Sequence, residues 1–235
     1  MPRHLHTPSV SCLYIFIPIN LSQMNPGFSS ITVNIPAYNE ENRIGSTLRS
    51  IKEYFENILV IDDGSQDKTK KIAETIGARV IDNEYSKGYL GATKTGFRTA
   101  STPWIITVDA DGEHRIEDLI GMSKYALSHE YDLVMGTRKL SQISRPSEVI
   151  LSTLASIKSP VFDTGTGLRI IRSALARQME LYGKCVCGTF VLEAGNLGAK
   201  IGEYSIHLKN IEKPRRIAWE HLQQFFILNR HLFKK

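Results

Sequence analysis

Residues 104–115 read WIITVDADGEHR, an apolar run of β-strand type that ends with three carboxylates in five positions. An Asp-x-Asp turn at a strand end can offer carboxylate oxygens to Mg²⁺ or Mn²⁺, which complete their coordination with water and substrate phosphates. The alternative is that Asp111 simply caps the following helix. A calcium loop is excluded, because His114 and Ile120 stand where such a loop needs glycine and glutamate.

The sequence on both sides of this stretch alternates between strand and helix patterns. We predict strands at 31–36, 57–62, 78–82, 104–109 and 131–137, and helices at 44–55, 68–76, 88–100 and 115–128. This alternation is typical of a mostly parallel sheet with helices on both faces, so the expected fold class is α/β.

Polar clusters follow the first, second and fourth strands, as PAYNEE (36–41), DDGSQD (62–67) and DADGEH (109–114). Ligands of such sheets bind at the carboxyl ends of the strands, so the three clusters predict a single site. A carboxylate at 62 or 63 could accept hydrogen bonds from a ribose or a base edge, or could serve an ordinary turn and helix cap. Neither GxGxxG after the first strand nor GxxxxGK[ST] anywhere is present, which disfavours Rossmann dehydrogenases and excludes P-loop enzymes.

The second half of the chain is less regular. We predict helical pieces at 148–157, 173–182 and 190–200, strands at 166–172 and 201–208, and a basic, aromatic, amphipathic helix at 217–233. No linker divides the chain, so a single domain is expected over 24–235. Residues 1–23 show no helical or strand period and are expected to form a disordered leader.

The composition is that of a globular protein, with 42% hydrophobic and 23% charged residues. The net charge of +5 is concentrated in 205–235, which suggests either an acidic partner or a solvated helix face. No run reaches the ~18 apolar residues of a membrane helix.

The three cysteines, Cys12, Cys185 and Cys187, favour a reduced, cytoplasmic setting. Cys-Val-Cys lacks the usual zinc spacing, so no metal site made from sulfur is expected. The histidines at 207, 221 and 231 are scattered, and no ligand role is assigned to them.

Five motifs, in this order, resemble family 2 glycosyltransferases of GT-A fold: NIPAYNEENRI, VIDDGSQDKT, KGYLGATKTGF, VDADGEH and DTGTGLRIIRSAL. Within that family the chain is most similar to the dolichyl-phosphate mannose synthase and polyprenyl-phosphate glycosyltransferase branch. The resemblance extends over about 30–208, which is most of the chain.

The resemblance implies roles for individual residues. Asp109, Asp111 and Glu113 would hold Mg²⁺ or Mn²⁺, although relatives often carry glutamine at the position of Glu113. Asp163 would be a catalytic carboxylate, beside Asp111 and Arg138. The implied contacts to the nucleotide-sugar donor are Pro36, Tyr38, Glu40, Val60, Asp62, Asp63, Lys94, Asp109, Ala110, Asp111, Arg138 and Arg145. Arg215 and Arg216 would stand in for a late basic motif of the family.

The predicted function is inverting transfer of a sugar from a GDP- or UDP-linked donor to a polyprenyl or dolichyl phosphate. A lipid phosphate needs no general base, because its second pKa is about 6 and it arrives as an anion. One alternative is transfer to a hydroxyl of a glycan or glycolipid, which would need a base. A non-enzymatic alternative is a nucleotide-sugar-binding module.

The C-terminal helix either packs in the core or makes a peripheral contact with the cytoplasmic face of a membrane. No nucleic-acid partner is expected, because aromatic residues are not interleaved with the basic ones.

Overall fold

The computed structural model describes residues 28–143, 146–183, 185–209 and 219–232. The predicted leader therefore lies outside the described residues, as do Arg145, Arg215 and Arg216. The strands are β1 (Ile31–Ala37), β2 (Asn57–Asp62), β3 (Arg79–Asp82), β4 (Trp104–Thr107), β5 (Leu133–Thr137), β6 (Arg169–Arg172) and β7 (Ile201–Ser205). The helices are α1 (Ile44–Lys52), α2 (Thr69–Ile76), α3 (Gly88–Thr99), α4 (Ile116–Ser128), α5 (Pro146–Ser156), α6 (Ser173–Ala176), α7 (Thr189–Asn196) and α8 (Trp219–Leu232).

The seven strands form one sheet in the order β3-β2-β1-β4-β6-β5-β7. β3, β2, β1 and β4 run parallel, and β5 is parallel to β7. β6 is antiparallel to both of its neighbours, β4 and β5. The predicted α/β class, with a mostly parallel sheet, is therefore confirmed, and β6 is the one strand that departs from the parallel direction.

Neighbouring residues of each strand point to opposite faces of the sheet. Because consecutive strand residues are apolar, both faces of the sheet are apolar. Ile106 and Val134 belong to one buried cluster with side chains of α1, α2 and α4. Ile105 and Leu133 belong to a second buried cluster with side chains of α3, α6 and α7. Two helical layers thus cover the sheet and leave its strand ends open for a site.

The helix predicted at 173–182 is wrong in its length, since α6 ends at Ala176. Beyond it, the backbone N–H groups of Glu180 and Leu181 donate to the carboxylate of Glu193 in α7 and not to helical carbonyls. Leu181 has a positive φ of 49°, which no α-helix accommodates. A tertiary contact has replaced the local helical bonds here.

The amphipathic helix α8 is partly core and partly exposed. Leu228 and Leu232 are buried in a third cluster with side chains of α5 and α7. Leu222 is 50% exposed and Phe226 is 65% exposed. Among the described residues, every helix is too short or too polar to span a bilayer.

Candidate active site

A cavity of about 460 Å³ opens at the carboxyl ends of β1, β2 and β4. This volume is within the usual range of small-molecule sites. The cavity is lined by Pro36, Ala37, Tyr38, Glu40, Asp63, Ser86, Gly88, Tyr89, Ala92, Asp109, Ala110, Asp111, Gly165, Gly167 and Val186. The three polar clusters of the sequence therefore meet in one cavity, as the strand-end argument predicts.

Asp109 owes its position to the pairing of β4 with β6. These strands are antiparallel, with Thr107 opposite Arg169, and the same register carried two residues further sets Asp109 opposite Gly167. A Cβ atom on Gly167 would lie only 2.2 Å from Asp109 Oδ2. Glycine at 167 thus leaves the room that the Asp109 carboxylate fills.

The turn after β4 presents a second carboxylate to the cavity. Asp111 Oδ1 accepts a hydrogen bond from the backbone N–H of Glu113 at 3.0 Å. Gly112 has a φ of +75°, a conformation that favours glycine. Asp109 Oδ2 lies 3.3 Å from His114 Nε2. Carboxylate oxygens that line one cavity are a donor set of the kind that Mg²⁺ and Mn²⁺ prefer, so the residues present fit such an ion.

Glu113, the third predicted metal ligand, is not among the lining residues of the cavity. Its backbone carbonyl accepts a hydrogen bond from the Lys209 N–H at 2.9 Å. The structure thus brings Asp109 and Asp111 to the cavity, and it places Glu113 beside the segment that follows β7. A metal-binding role for Glu113 stays a prediction.

The predicted contacts to base and ribose separate into two groups. Pro36, Tyr38 and Glu40 line the cavity, and Tyr38 is 52% exposed. Val60 is buried in the core, and Asp62 accepts hydrogen bonds from the backbone and hydroxyl of its near neighbour in sequence, Ser65. Val60 and Asp62 are not lining residues, so their contacts to base and ribose stay predictions.

Asp63 lines the cavity and also organises its wall. Its carboxylate accepts hydrogen bonds from Ser86 Oγ at 2.7 Å and from the Gly88 N–H at 2.8 Å. Burial by itself raises the pKa of a carboxyl group, but these bonds and those from Lys87 and Asn83 lower the pKa of Asp63. The carboxylate thereby holds the loop that begins α3.

Lys94, Arg138 and Asp163 are not among the lining residues of the cavity. Lys94 Nζ is 3.5 Å from a carboxylate oxygen of Glu180. Arg138 is paired with two carboxylates, through Nε to Asp163 Oδ2 at 2.7 Å and through Nη2 to Glu148 Oε2 at 2.9 Å. A Cβ atom on the lining residue Gly165 would lie 2.8 Å from Arg138 Nη2, so the guanidinium is immediately behind the cavity wall.

Asp163 is fully buried and both of its oxygens are engaged. Oδ1 accepts bonds from Arg138 Nη2 at 2.9 Å and from the Gly165 N–H at 3.0 Å. Burial alone would raise the pKa of this carboxyl group, but the bonds and charge of Arg138 outweigh burial and lower it. Asp163 is therefore an ionised partner that holds Arg138.

Tyr89 lines the cavity and Arg169 begins β6, and neither belongs to the sequence-based set of site residues. The Arg169 side chain is fully buried, and its three guanidinium nitrogens have no hydrogen-bond partner among the described residues. Its charge lies 4.6 Å above the Phe190 ring. Burial, and then the charge of Asp109, raise the pKa of Tyr89, while Arg169 lowers it. The signal in the sequence was an arginine between apolar residues of a strand.

Replacing Gly167 with alanine should displace the Asp109 carboxylate, because the added Cβ takes its place. We expect Mn²⁺ affinity to fall about 10- to 100-fold, measured by the loss of the free Mn²⁺ EPR signal on titration. Gly198→Ala is the control for general destabilisation, because its φ of +79° strains an alanine, whereas a Cβ atom there meets none of the described residues within 4 Å and Gly198 does not line the cavity. Unchanged Mn²⁺ affinity in Gly167→Ala would contradict a role of Asp109 as a ligand.

Because Asp163 is paired with Arg138, part of the free energy of unfolding should depend on pH. Its pKa is lower in the folded protein than the ordinary value of about 3.9. The stabilisation is therefore complete above that value and disappears as the pH falls through the folded pKa. Asp163→Asn should cost about 3 kcal/mol of unfolding free energy at neutral pH. Urea unfolding measures the difference in unfolding free energy between wild type and Asp163→Asn. This difference should stay constant from about pH 7 to pH 5 and shrink below about pH 4. A difference that does not shrink would contradict the pairing.

Comparison with known proteins identifies the family to which this chain belongs. The family model described as "Glycosyl transferase family 2" matches residues 32–191. A dolichyl-phosphate hexose transferase of Haloferax volcanii is 32% identical over 163 residues, which are 65% of this chain and 71% of that protein. An uncharacterised protein of Methanocaldococcus jannaschii is 41% identical over 116 residues, and there the match spans 48% of each chain.

The fold has a solved counterpart in glucosyl-3-phosphoglycerate synthase from Mycobacterium tuberculosis, in complex with Mn²⁺, uridine diphosphate and glucosyl-3-phosphoglycerate. The TM-score is 0.68 at 20% identity, over 86% of this chain and 77% of that one. At this identity the likeness concerns the fold, and it agrees with the GT-A architecture that the sequence motifs predict. Because the family model covers more than half of the chain, this protein belongs to glycosyl transferase family 2.

Proposed function

We propose that this protein transfers one sugar from a nucleotide-sugar donor to a polyprenyl or dolichyl phosphate, with inversion at the anomeric carbon. The observation that carries the proposal is the single cavity in which Asp109 and Asp111 lie beside Pro36, Tyr38 and Glu40. Family membership supports glycosyl transfer, and the name of the Haloferax volcanii relative supports a lipid phosphate acceptor.

The cavity has two chemically distinct parts that match the two ends of a nucleoside diphosphate. The half-exposed ring of Tyr38, with Pro36 beside it, offers an aromatic and apolar surface to a base. The carboxylates of Asp109 and Asp111 mark the diphosphate end of the cavity, where a divalent cation would be held.

Asp109 and Asp111 would hold Mg²⁺ or Mn²⁺, which when bound neutralises the negative charge that develops on a leaving diphosphate. The fold counterpart from Mycobacterium tuberculosis is in complex with Mn²⁺ and uridine diphosphate, which supports this assignment. The protein's own part is to hold the two carboxylates in position, through the space at Gly167 and the hydrogen bond from the Glu113 N–H.

The environment of Asp163 favours an acceptor that needs no base. Both of its oxygens are engaged, and the side chain is fully buried, so it is poorly placed to take a proton from an attacking hydroxyl. A lipid phosphate attacks through an oxygen that is already anionic. A single attack at the anomeric carbon, opposite the leaving diphosphate, inverts its configuration.

The acceptor would be reached from the cytoplasmic side of a membrane. Leu222 and Phe226 on α8 are exposed apolar side chains, and Arg230 on the same helix is an exposed cation. This combination suits a peripheral contact with anionic head groups. Such a contact would bring the cavity to a lipid-linked phosphate.

The proposal is tested by incubating the protein with a panel of GDP- and UDP-sugars, dolichyl phosphate and Mg²⁺ or Mn²⁺. We expect one donor to release nucleoside diphosphate and to yield a sugar-linked phospholipid, and we expect chelation of the metal to stop the reaction. Asp111→Asn should lower kcat/KM at least about 100-fold, because a charge-stabilising contact is lost.

Asp82→Asn is the matched control for Asp111→Asn. Asp82 ends β3 at the same edge of the sheet, but it pairs with Lys70 on the surface and is not among the lining residues. Metal-dependent donor binding without turnover on any lipid phosphate would favour the non-catalytic nucleotide-sugar-binding module over our proposal.

The variants Asp163→Asn and Glu148→Gln distinguish a lipid phosphate acceptor from a hydroxyl acceptor. Each variant removes one carboxylate from Arg138, but only Asp163 is a candidate base. With a lipid phosphate as acceptor we expect both to keep kcat within about tenfold of each other. A general base contributes about 100- to 10,000-fold, so a selective loss of that size in Asp163→Asn would favour a hydroxyl acceptor. Rates are compared below the melting temperature of both variants.

A further inference from the structure

A second group of metal-binding side chains lies outside the lining of the cavity. It consists of Cys185 and Cys187, in the loop before α7, and His221, in the first turn of α8. One ligand atom from each residue lies within 4.8 Å of the other two. Cys187 and His221 are buried, whereas Cys185 is partly exposed.

The spacing of these atoms is close to what a tetrahedral zinc ion requires. Zinc binds sulfur at about 2.3 Å and imidazole nitrogen at about 2.0 Å, so neighbouring ligand atoms are about 3.5 to 3.8 Å apart. Cys187 Sγ and His221 Nε2 are 3.9 Å apart. Small side-chain adjustments would bring all three atoms onto one ion.

The imidazole of His221 is already oriented by a partner outside the cluster. Its Nδ1 lies 2.8 Å from Ser147 Oγ, in the first turn of α5, so Nε2 is the atom that faces Cys187. Metal-binding histidines are commonly held in this way through their second nitrogen. The contact selects the nitrogen that a metal would need.

The backbone that carries the cysteines is also held to α8. Gln224, less than one turn beyond His221, accepts a hydrogen bond from the Cys185 N–H at 3.4 Å and donates one to Thr189 Oγ1 at 2.9 Å. These contacts join the loop and the helix without any ligand. The two elements that supply the three side chains are therefore aligned in advance.

We propose that Cys185, Cys187 and His221 bind one Zn²⁺, with water in the fourth position. On binding, the two thiols lose their protons to solvent, and the two thiolates balance the charge of the ion, which suits a largely buried setting. Thiolate and imidazole ligands select zinc over Mg²⁺ and Mn²⁺. The proposal departs from the expectation drawn from Cys-Val-Cys alone, because its third ligand comes from α8.

Zinc bound at this position would affect the structure around the donor cavity. Val186, between the two cysteines, lines the donor cavity. A zinc ion would therefore join α8, which carries the exposed Leu222 and Phe226, to the wall of that cavity. It would fix the helix relative to the site.

The test uses the full chain, purified with reductant and loaded with Zn²⁺ or Co²⁺. We expect one equivalent of zinc to remain after desalting, with a Kd of about 100 nM or tighter. The Co²⁺ form should show sulfur-to-cobalt charge-transfer absorption, which an oxygen site at Asp109 and Asp111 cannot produce. The outcome is therefore independent of the proposed transferase activity.

Cys185→Ser, Cys187→Ser and His221→Gln should each weaken Co²⁺ binding at least about 100-fold, and both serine variants should weaken the charge-transfer band. Cys185→Ser is the most informative, because this side chain is partly exposed and its loss should leave the fold intact by circular dichroism. Cys12→Ser and the exposed His129→Gln are matched controls that should bind as wild type.

Three results would overturn the proposal. The first is wild-type protein that retains no zinc and shows no sulfur-to-cobalt band. The second is a folded Cys185→Ser or His221→Gln variant that binds Co²⁺ as tightly as wild type. The third is a chain that was purified with reductant and whose mass is nevertheless lower by two hydrogens, through a Cys185–Cys187 disulfide.

Discussion

The register between β4 and its antiparallel neighbour β6 is the constraint on which the site depends. It brings the start of β6 to the edge where β1, β2 and β4 end, and there Asp109 meets Gly167. A side chain at 167 would occupy the space of the carboxylate. The segment that leads into the antiparallel strand β6 thus supplies the small residue that the acidic turn needs.

Electrostatic balance distinguishes the two sides of this cavity. Toward solvent, Asp109 and Asp111 present negative charge to the space where a cation and a diphosphate would meet. Behind the wall, Arg138 is compensated by Asp163 and Glu148. Buried charges are costly unless they are paired, so this triad is best understood as support for the wall near Gly165. The buried guanidinium of Arg169, over the Phe190 ring, has no such hydrogen bond to a carboxylate among the described residues, and its charge acts on Tyr89 together with that of Asp109.

Helix α8 connects this chemistry to the periphery of the molecule. Its buried side packs Leu228 and Leu232 against α5 and α7, while His221 and Gln224 contact the loop that contains Val186. The opposite side exposes Leu222 and Phe226. One helix therefore contacts a loop of the cavity wall and also carries exposed apolar side chains, so any ion that fixes the helix would act on both.

The sequence by itself determined the alternating strands and helices of the first half, since apolar periodicity is local, and it determined the Asp-x-Asp turn at the end of β4. Only the tertiary structure decided that Asp163 holds Arg138, that Asp63 and not Asp62 lines the cavity, and that α6 ends at Ala176. It also brought Cys185, Cys187 and His221 together, over a separation of 34 residues between the last two. The physical reason is that these features depend on packing between distant segments, and local periodicity carries no information about which distant side chains will meet.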